Sequence, residues 1–181
     1  MVPASDFDPG PSRRAETGRL QFPNGDCYEG DLRNGKMQGN GVLYNTHQRY
    51  EGRFQNGMRH GQGTLETLHS KFVGSWNYNK MQGSGTLVDS VGWYEGSFAA
   101  GFREGEGTQR YRDGRVYRGT FKNNLLVKGE LQLPDSTRLE GEWKNDTLFS
   151  GVGTIVYPNG DTYQGEWRQC LPHRFGKLIY R

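Results

Sequence analysis

A chain of 181 residues with 23 lysines and arginines against 20 aspartates and glutamates carries a net charge of +3, too even a balance for a nucleic-acid binder that works by counterion release and needs a dense basic stripe. Leu, Ile, Val and Phe make up only 34 of the 181 residues while aromatics reach 13%, so a folded core must draw its buried area from rings rather than aliphatics. No stretch approaches the ~18 apolar residues of a membrane span and the first residues lack an apolar signal core, so with two cysteines, Cys27 and Cys170, the expectation is a cytoplasmic protein with neither a disulfide framework nor a cofactor.

Residues 1–16, "MVPASDFDPGPSRRAE", follow no pattern and are expected to form a disordered tail. From residue 17 to residue 181 the chain reads as one array. A half-unit, "GRLQFPNGDC", starts at Gly18. Full units then begin at Tyr28, Tyr50, Phe72, Tyr94, Tyr117, Leu139 and Tyr163, at spacings of 22 to 24 residues, with the openings YEGDL, YEGRF, FVGSW, YEGSF, YRGTF, LEGEW and YQGEW. Most carry a later Gly-x-Gly, at 39, 61, 83, 105 and 151.

In each opening the first, third and fifth residues fall on one face of a strand. Those residues are a ring, a glycine and a second ring, as in Phe72, Gly74 and Trp76. The alternate residues, such as Glu51, Arg53 and Gln55 or Glu140, Glu142 and Lys144, are polar. That alternation predicts a half-buried antiparallel strand. A second short strand is predicted after each Gly-x-Gly: Val42–Tyr44, Thr64–Glu66, Thr86–Val88 and Thr154–Tyr157. Seven residues after each unit start stand Gly35, Gly57, Asn79, Gly101, Asn124 and Asp146, types that tolerate positive φ, so a left-handed turn residue is predicted there. The fold expected is all-β: a single ribbon of successive β-hairpins, each packed on its neighbours, with the ring-facing glycine of one strand making room for the ring of the next. At about 4.8 Å per strand, seven units would span roughly 60–70 Å.

This recurring Tyr-x-Gly-x-aromatic opening followed by Gly-x-Gly resembles the MORN repeat family (membrane occupation and recognition nexus) over about 160 of the 181 residues. The resemblance implies an elongated repeat sheet and a non-enzymatic adaptor or scaffold in cytoskeletal, ciliary or membrane-adjacent assemblies. Three units depart from the pattern. Val127 replaces the first glycine of the pair in the fifth, the sixth is one residue longer before its pair, and in the seventh Cys170 takes the turn position and Arg174 the first glycine's place. These units are expected to bend or end the array.

"GFREGEG" at 101–107 resembles a phosphate loop, but it lacks the following Lys-Ser/Thr and its glycines recur with the repeat. No nucleophile elbow, H-E-x-x-H or C-x-x-C occurs, and Glu51, Glu95 and Glu140 fall on the solvated strand face, so no catalytic residue is assigned. A rigid array would hold Cys27 and Cys170 roughly 50 Å apart, beyond disulfide reach. Cys170 and His173 do not make a four-ligand metal site, and none is assigned.

The ring stripe is the candidate site. Tyr50, Phe54, Phe72, Trp76, Tyr94, Phe98, Tyr117, Phe121, Trp143 and Trp167 are expected both to pack between repeats and to line a groove for a protein segment, with an amphipathic helix as its natural occupant. On that expectation, polar substitution of Trp76 and Phe98 abolishes binding and leaves the fold intact. The terminal "KLIYR" places Leu178, Ile179 and Tyr180 on an unpaired edge, for which association of two chains, or continuation into a partner's sheet, is expected. Two other readings compete. Phospholipid binding, which the family's name suggests, is disfavoured for want of a polybasic cluster, and no nucleic-acid partner is assigned. A targeting module of a larger enzyme would be inactive by itself.

Overall fold

A computed structural model describes residues 16–181 except Asp146 and Cys170, and the side chains of Leu148 and Phe149 are also outside the description. The expected tail therefore lies outside the described residues except for Glu16, which opens the first strand. Fifteen strands follow in chain order: β1 Glu16–Gln21, β2 Cys27–Arg33, β3 Lys36–Tyr44, β4 Gln48–Gln55, β5 Met58–Thr67, β6 Lys71–Asn77, β7 Lys80–Val88 and β8 Gly92–Ala99. They continue as β9 Phe102–Tyr111, β10 Val116–Lys122, β11 Leu125–Gln132, β12 Arg138–Lys144, β13 Thr147–Val156, β14 Thr162–Arg168 and β15 Leu171–Ile179. Each pairs antiparallel with the strand before and after it, giving one 15-stranded sheet in strict sequence order.

Two ladders of residues run across this sheet. The first is glycine on glycine. Gly18 faces Gly30, which faces Gly41, then Gly52, Gly63, Gly74 and so on to Gly151. On β13 the ladder steps by two residues to Gly153, which faces Gly165 and then Gly176. The second ladder alternates ring and aliphatic residue: Tyr28, Leu43, Tyr50, Leu65, Phe72, Leu87 and Tyr94 stand opposite one another in turn.

The two ladders depend on each other. The leading rings Tyr28, Tyr50, Phe72, Tyr94 and Tyr163 lie along their own strands, over the third-position glycine and the glycine opposite, whereas at Gly119, Gly129, Gly141 and Gly151 the close neighbours are backbone. A Cβ on Gly52 would stand 2.7 Å from the Tyr50 hydroxyl, and one on Gly63 would collide with the same ring. Tyr28 bars Gly41 in the same way, Tyr94 bars Gly107, and Phe72 bars Gly85. The space thus serves the ring of the same hairpin, rather than the ring of the next strand as expected from sequence.

The turns linking β2 to β3, β4 to β5, β6 to β7, β8 to β9 and β10 to β11 are two residues long. The second residues, Gly35, Gly57, Asn79, Gly101 and Asn124, have positive φ as predicted; Asp146 is outside the described residues. The first residues, Asn34, Asn56, Tyr78, Ala100 and Asn123, also have positive φ, between 45° and 53°. Both signs together make these type I′ turns, whose twist matches that of the flanking strands. Each later turn is tied to the unit before it. Gly57, Asn79, Gly101 and Asn124 donate their N–H groups to the carbonyls of Met37, Arg59, Met81 and Arg103 at 2.8–3.1 Å.

The second strand of each hairpin is longer than sequence suggested. It starts directly after the turn, so Gly-x-Gly lies inside it as a β-bulge. Register is displaced between Gly52 and Phe54, between Gly74 and Trp76 and between Gly96 and Phe98. The first glycine of the pair takes the left-handed conformation the bulge needs at Gly39, Gly61, Gly83 and Gly105 (φ 63° to 97°). In the fifth and sixth units the displacement spans a shorter stretch, between Thr120 and Phe121 and between Glu142 and Trp143, which is why Val127 is accommodated without a glycine. These units continue the sheet and do not end it.

Gly63→Ala is expected to lower stability by about 1–3 kcal/mol, because the Tyr50 ring has nowhere to move. Gly57→Asn, at a turn position where a Cβ meets nothing within 4 Å, is expected to change it by less than ~0.5 kcal/mol. Urea unfolding followed by far-UV circular dichroism checks both, and equal midpoints for the two variants would contradict the ladder.

Candidate functional site

The ring stripe is a core. All ten residues expected to line a groove are between 1% and 7% exposed, so packing between repeats accounts for them and they do not offer a lining to a partner. The physical reason is that Tyr28, Tyr50, Phe72 and Tyr94 lie down onto their glycines, which leaves room for the fifth-position ring of the next unit to meet each edge-on. Tyr28 meets Phe54 at a centroid distance of 5.1 Å, Tyr50 meets Trp76 at 5.3 Å, Phe72 meets Phe98 at 5.0 Å and Tyr94 meets Phe121 at 5.2 Å. Within a unit Tyr50 and Phe54, Phe72 and Trp76, and Tyr94 and Phe98 pair at 5.1–5.2 Å. These contacts form an unbroken edge-to-face chain of eight rings from Tyr28 to Phe121, each pair contributing roughly 0.5–1.5 kcal/mol beyond its buried area.

The polar ends of the rings are satisfied inside the sheet. The Tyr28 hydroxyl donates to the Asp31 carbonyl at 2.7 Å, Tyr50 to Arg53 at 3.1 Å and Tyr94 to Ser97 at 3.1 Å. Each accepting carbonyl lies at the bulge, where the strand ladder is interrupted. The indoles of Trp76 and Trp143 donate to the carbonyls of Gly63 and Gly129 at 3.1 and 2.8 Å. Burial raises the hydroxyl pKa of Tyr28 and of Tyr50 to about 12, against an ordinary 10.

Sequence reasoning missed a second layer over the rings. Two residues past each I′ turn stand Met37, Arg59, Met81, Arg103 and Leu126 on the ring face. Arg59 lies with its guanidinium 4.6 Å from the Trp76 ring centre and 5.6 Å from that of Tyr50, and burial lowers its pKa. Arg103 lies 5.6 Å from the Tyr94 ring and donates to the buried Gln109. The interchange of methionine and arginine at one repeat position was the available signal, since both present a flexible stem that packs on rings.

Leu178 of β15 pairs with Tyr163 of β14, and Leu178, Ile179 and Tyr180 are all exposed. No group of three or more His, Cys, Asp or Glu among the described residues is placed to hold a metal ion. The carboxylates Glu51, Glu95 and Glu140 occupy the face away from the rings and are exposed.

Exposed apolar residues gather elsewhere. On the face opposite the rings, Val73 of β6, Val88 of β7 and Trp93 of β8 are 46%, 44% and 41% exposed. Val88 stands directly opposite Trp93, and Trp93 opposite Arg110, whose guanidinium lies 5.0 Å from the indole ring. A shallow groove beside them is lined by Gln62, Val73, Ser84, Thr86, Glu95 and Ser97.

A family model for the MORN repeat matches residues 28–46, 50–66, 72–93, 94–114, 117–138, 140–162 and 163–181. No curated protein matches the chain as a relative.

Trp76→Ala is expected to cost about 3–5 kcal/mol as a core truncation, so the Trp76 and Phe98 substitutions would fail by unfolding rather than by losing a partner. For the tyrosines the sign is set by the raised pKa, because folding favours the neutral hydroxyl. The stability they contribute is complete below pH 10 and is lost as pH rises from 10 through about 12. Chemical denaturation between pH 8 and 12 should show this fall, and Tyr28→Phe with Tyr50→Phe should flatten it. An unchanged slope in the double variant would contradict the assignment.

Proposed function

The chain belongs to the MORN-repeat family, and from that premise we propose that it is a non-enzymatic scaffold whose ligand is a protein segment. The observation that carries this reading is the group Val73, Val88 and Trp93, exposed together on a face whose other residues are mostly polar. Interfaces draw most of their binding energy from a few residues, with tryptophan and arginine over-represented, and Trp93 with Arg110 stacked on it supplies that pair. A sheet whose ladders fix every strand to its neighbours holds such a group without reorganisation, which lowers the cost of association.

The family resemblance supports setting this scaffold in the cytoplasm, in a cytoskeletal, ciliary or membrane-adjacent assembly. The mixed charge of the opposite face, with ion pairs Arg49–Glu51, Lys71–Glu66 and Arg118–Glu130, favours a protein over an anionic bilayer as the ligand of that face.

The test is affinity capture from an extract of the source cells, comparing wild type with Trp93→Ser/Val88→Ser. Both positions are exposed, so the variant is expected to stay within ~1 kcal/mol of wild-type stability. Proteins recovered with wild type and lost with the variant are the expected outcome. An identical set captured by both proteins would overturn the face assignment.

A further inference from the structure

β15 pairs on one side only, with β14. Its other side has equivalents throughout the sheet, because β3, β5, β7, β9, β11 and β13 each receive the opening strand of the next unit there. In the first four of these the fit is constant. Gly41, Gly63, Gly85 and Gly107 face the third-position glycine of the incoming strand. Two residues earlier, Gly39, Gly61, Gly83 and Gly105 face its fifth-position ring. Two residues later, Leu43, Leu65 and Leu87 face its leading ring.

β15 keeps the shape of those strands. Gly176 and Leu178 stand opposite Gly165 and Tyr163, and the register is displaced after Gly165 as at the other bulges. Arg174, in the place of Gly61, takes the same left-handed conformation, with φ 54°, which normally favours glycine. Tyr163 lies over Gly165 and Gly176 and meets Trp167 of its own unit at 5.2 Å. What differs is the cover. Tyr28, Tyr50, Phe72 and Tyr94, each met edge-on by a ring of the next unit, are 0–2% exposed. Tyr163 is half-buried and meets no second ring among the described side chains. Leu178 is 43% exposed, whereas Leu43, Leu65 and Leu87, each between two rings, pack against the core.

Charge and pattern select the occupant. From Leu171 to Arg181 there are three cations, Arg174, Lys177 and Arg181, one histidine and no acid. The acids nearest to them lie on the covered side, where Glu166 stands opposite His173 and Asp161 accepts the Arg181 N–H at 3.0 Å. A second β15 would bring the same cations to this edge, and cations on an edge strand oppose pairing with a like strand. The β1 strand of another copy presents Gly18 and Leu20 in the second-strand arrangement, with no leading ring. Neither end of the sheet therefore supplies what the other end lacks. Lys177 takes the place of Val42 and Thr86, which face Glu51 and Glu95 of the incoming openings. A glutamate at that position would stand directly opposite a lysine, a favourable cross-strand pair.

We propose that the free side of β15 binds an extended protein segment of the form ring–Glu–Gly–x–ring as an added antiparallel strand. Its glycine faces Gly176, its glutamate Lys177 and its first ring Leu178, while its second ring faces Arg174 and meets Tyr163 edge-on. Main-chain hydrogen bonds supply affinity in such strand addition, and the alternate side chains supply the choice of sequence. The proposal shares with the reading above the premise that the ligand is a protein segment, but it uses a different surface from Trp93 and Val88.

The probe is a fluorescein-labelled synthetic peptide containing Tyr-Glu-Gly-Thr-Trp, titrated with the full chain and read by anisotropy. One control peptide carries serine in place of both rings, and a second carries valine in place of the glycine. Wild type should bind the probe at least tenfold more tightly than either control. Lys177→Glu should bind the probe several-fold more weakly and should prefer a peptide with lysine in place of the glutamate, while Trp93→Ser should bind like wild type. Equal affinity for the probe and the ring-free control, or an unchanged preference for glutamate in the charge-reversed variant, would overturn the proposal. So would a stable dimer in sedimentation equilibrium with no binding of the probe, which would make a second copy the occupant. Trp93-dependent partner capture alongside failure of the probe would overturn the edge assignment and leave the face reading standing.

Discussion

The first four full units of this sheet depend on a ring lying flat on its own backbone. When Tyr50 folds along β4 its hydroxyl reaches the Arg53 carbonyl, and its ring occupies the volume a Cβ on Gly52 or Gly63 would need. Two glycines on adjacent strands are thus the condition for one ring, and where the ring repeats, at Tyr28, Tyr50, Phe72, Tyr94 and Tyr163, the glycines align across the sheet; from Gly119 to Gly151 the pairing continues as backbone packed on backbone. Glycine in a strand weakens it by loss of entropy and packing. Here the loss is offset by a ring that buries itself, satisfies its own hydroxyl and leaves an edge free for the next unit's ring. The bulge has the same origin: it interrupts the ladder at the residue whose carbonyl the tyrosine needs, and it gives the first glycine of Gly-x-Gly its left-handed conformation.

A sheet built this way needs no second layer. Single open sheets normally bury an apolar face against helices or another sheet. In this chain the ring face is sealed by its own side chains, with methionine, leucine or the stems of Arg59 and Arg103 laid over the rings. Each hairpin touches the hairpins beside it, so stability is a sum over neighbours. The outer face is then released from structural duty, and an apolar residue exposed there, such as Trp93, has no core-packing role to explain it.

The architecture was legible in the sequence because its constraints are local and periodic. The ring–glycine–ring opening fixed the strand face, and the glycine or asparagine seven residues on fixed the turn. What stayed hidden depends on geometry between strands. The second strand reads as starting after Gly-x-Gly because nothing in one strand's alternation shows that its partner skips residues, and the bulge appears only when Gly52 is set against Gly63 and Phe54 against Arg59. The positive φ of Tyr78 and Ala100 could not be read from residue type, since neither favours it; the demand comes from the two-residue closure. The same limit moved the candidate site. A row of rings on one face looks like an open groove until their inclination along the strand is known, and that inclination is set by the glycines opposite.

Rings that are buried by contact with the adjacent unit also tie any binding surface to the integrity of several units at once. Phe102 is held by the turn whose Gly101 N–H bonds to Met81 of the preceding hairpin, and Leu125 by the turn whose Asn124 bonds to Arg103 through both its N–H and, from the Arg103 N–H, its side-chain oxygen. The placing of each turn is therefore a property of the array and not of any single repeat, and disturbing one unit displaces residues that the next unit holds even where they never touch the substituted side chain.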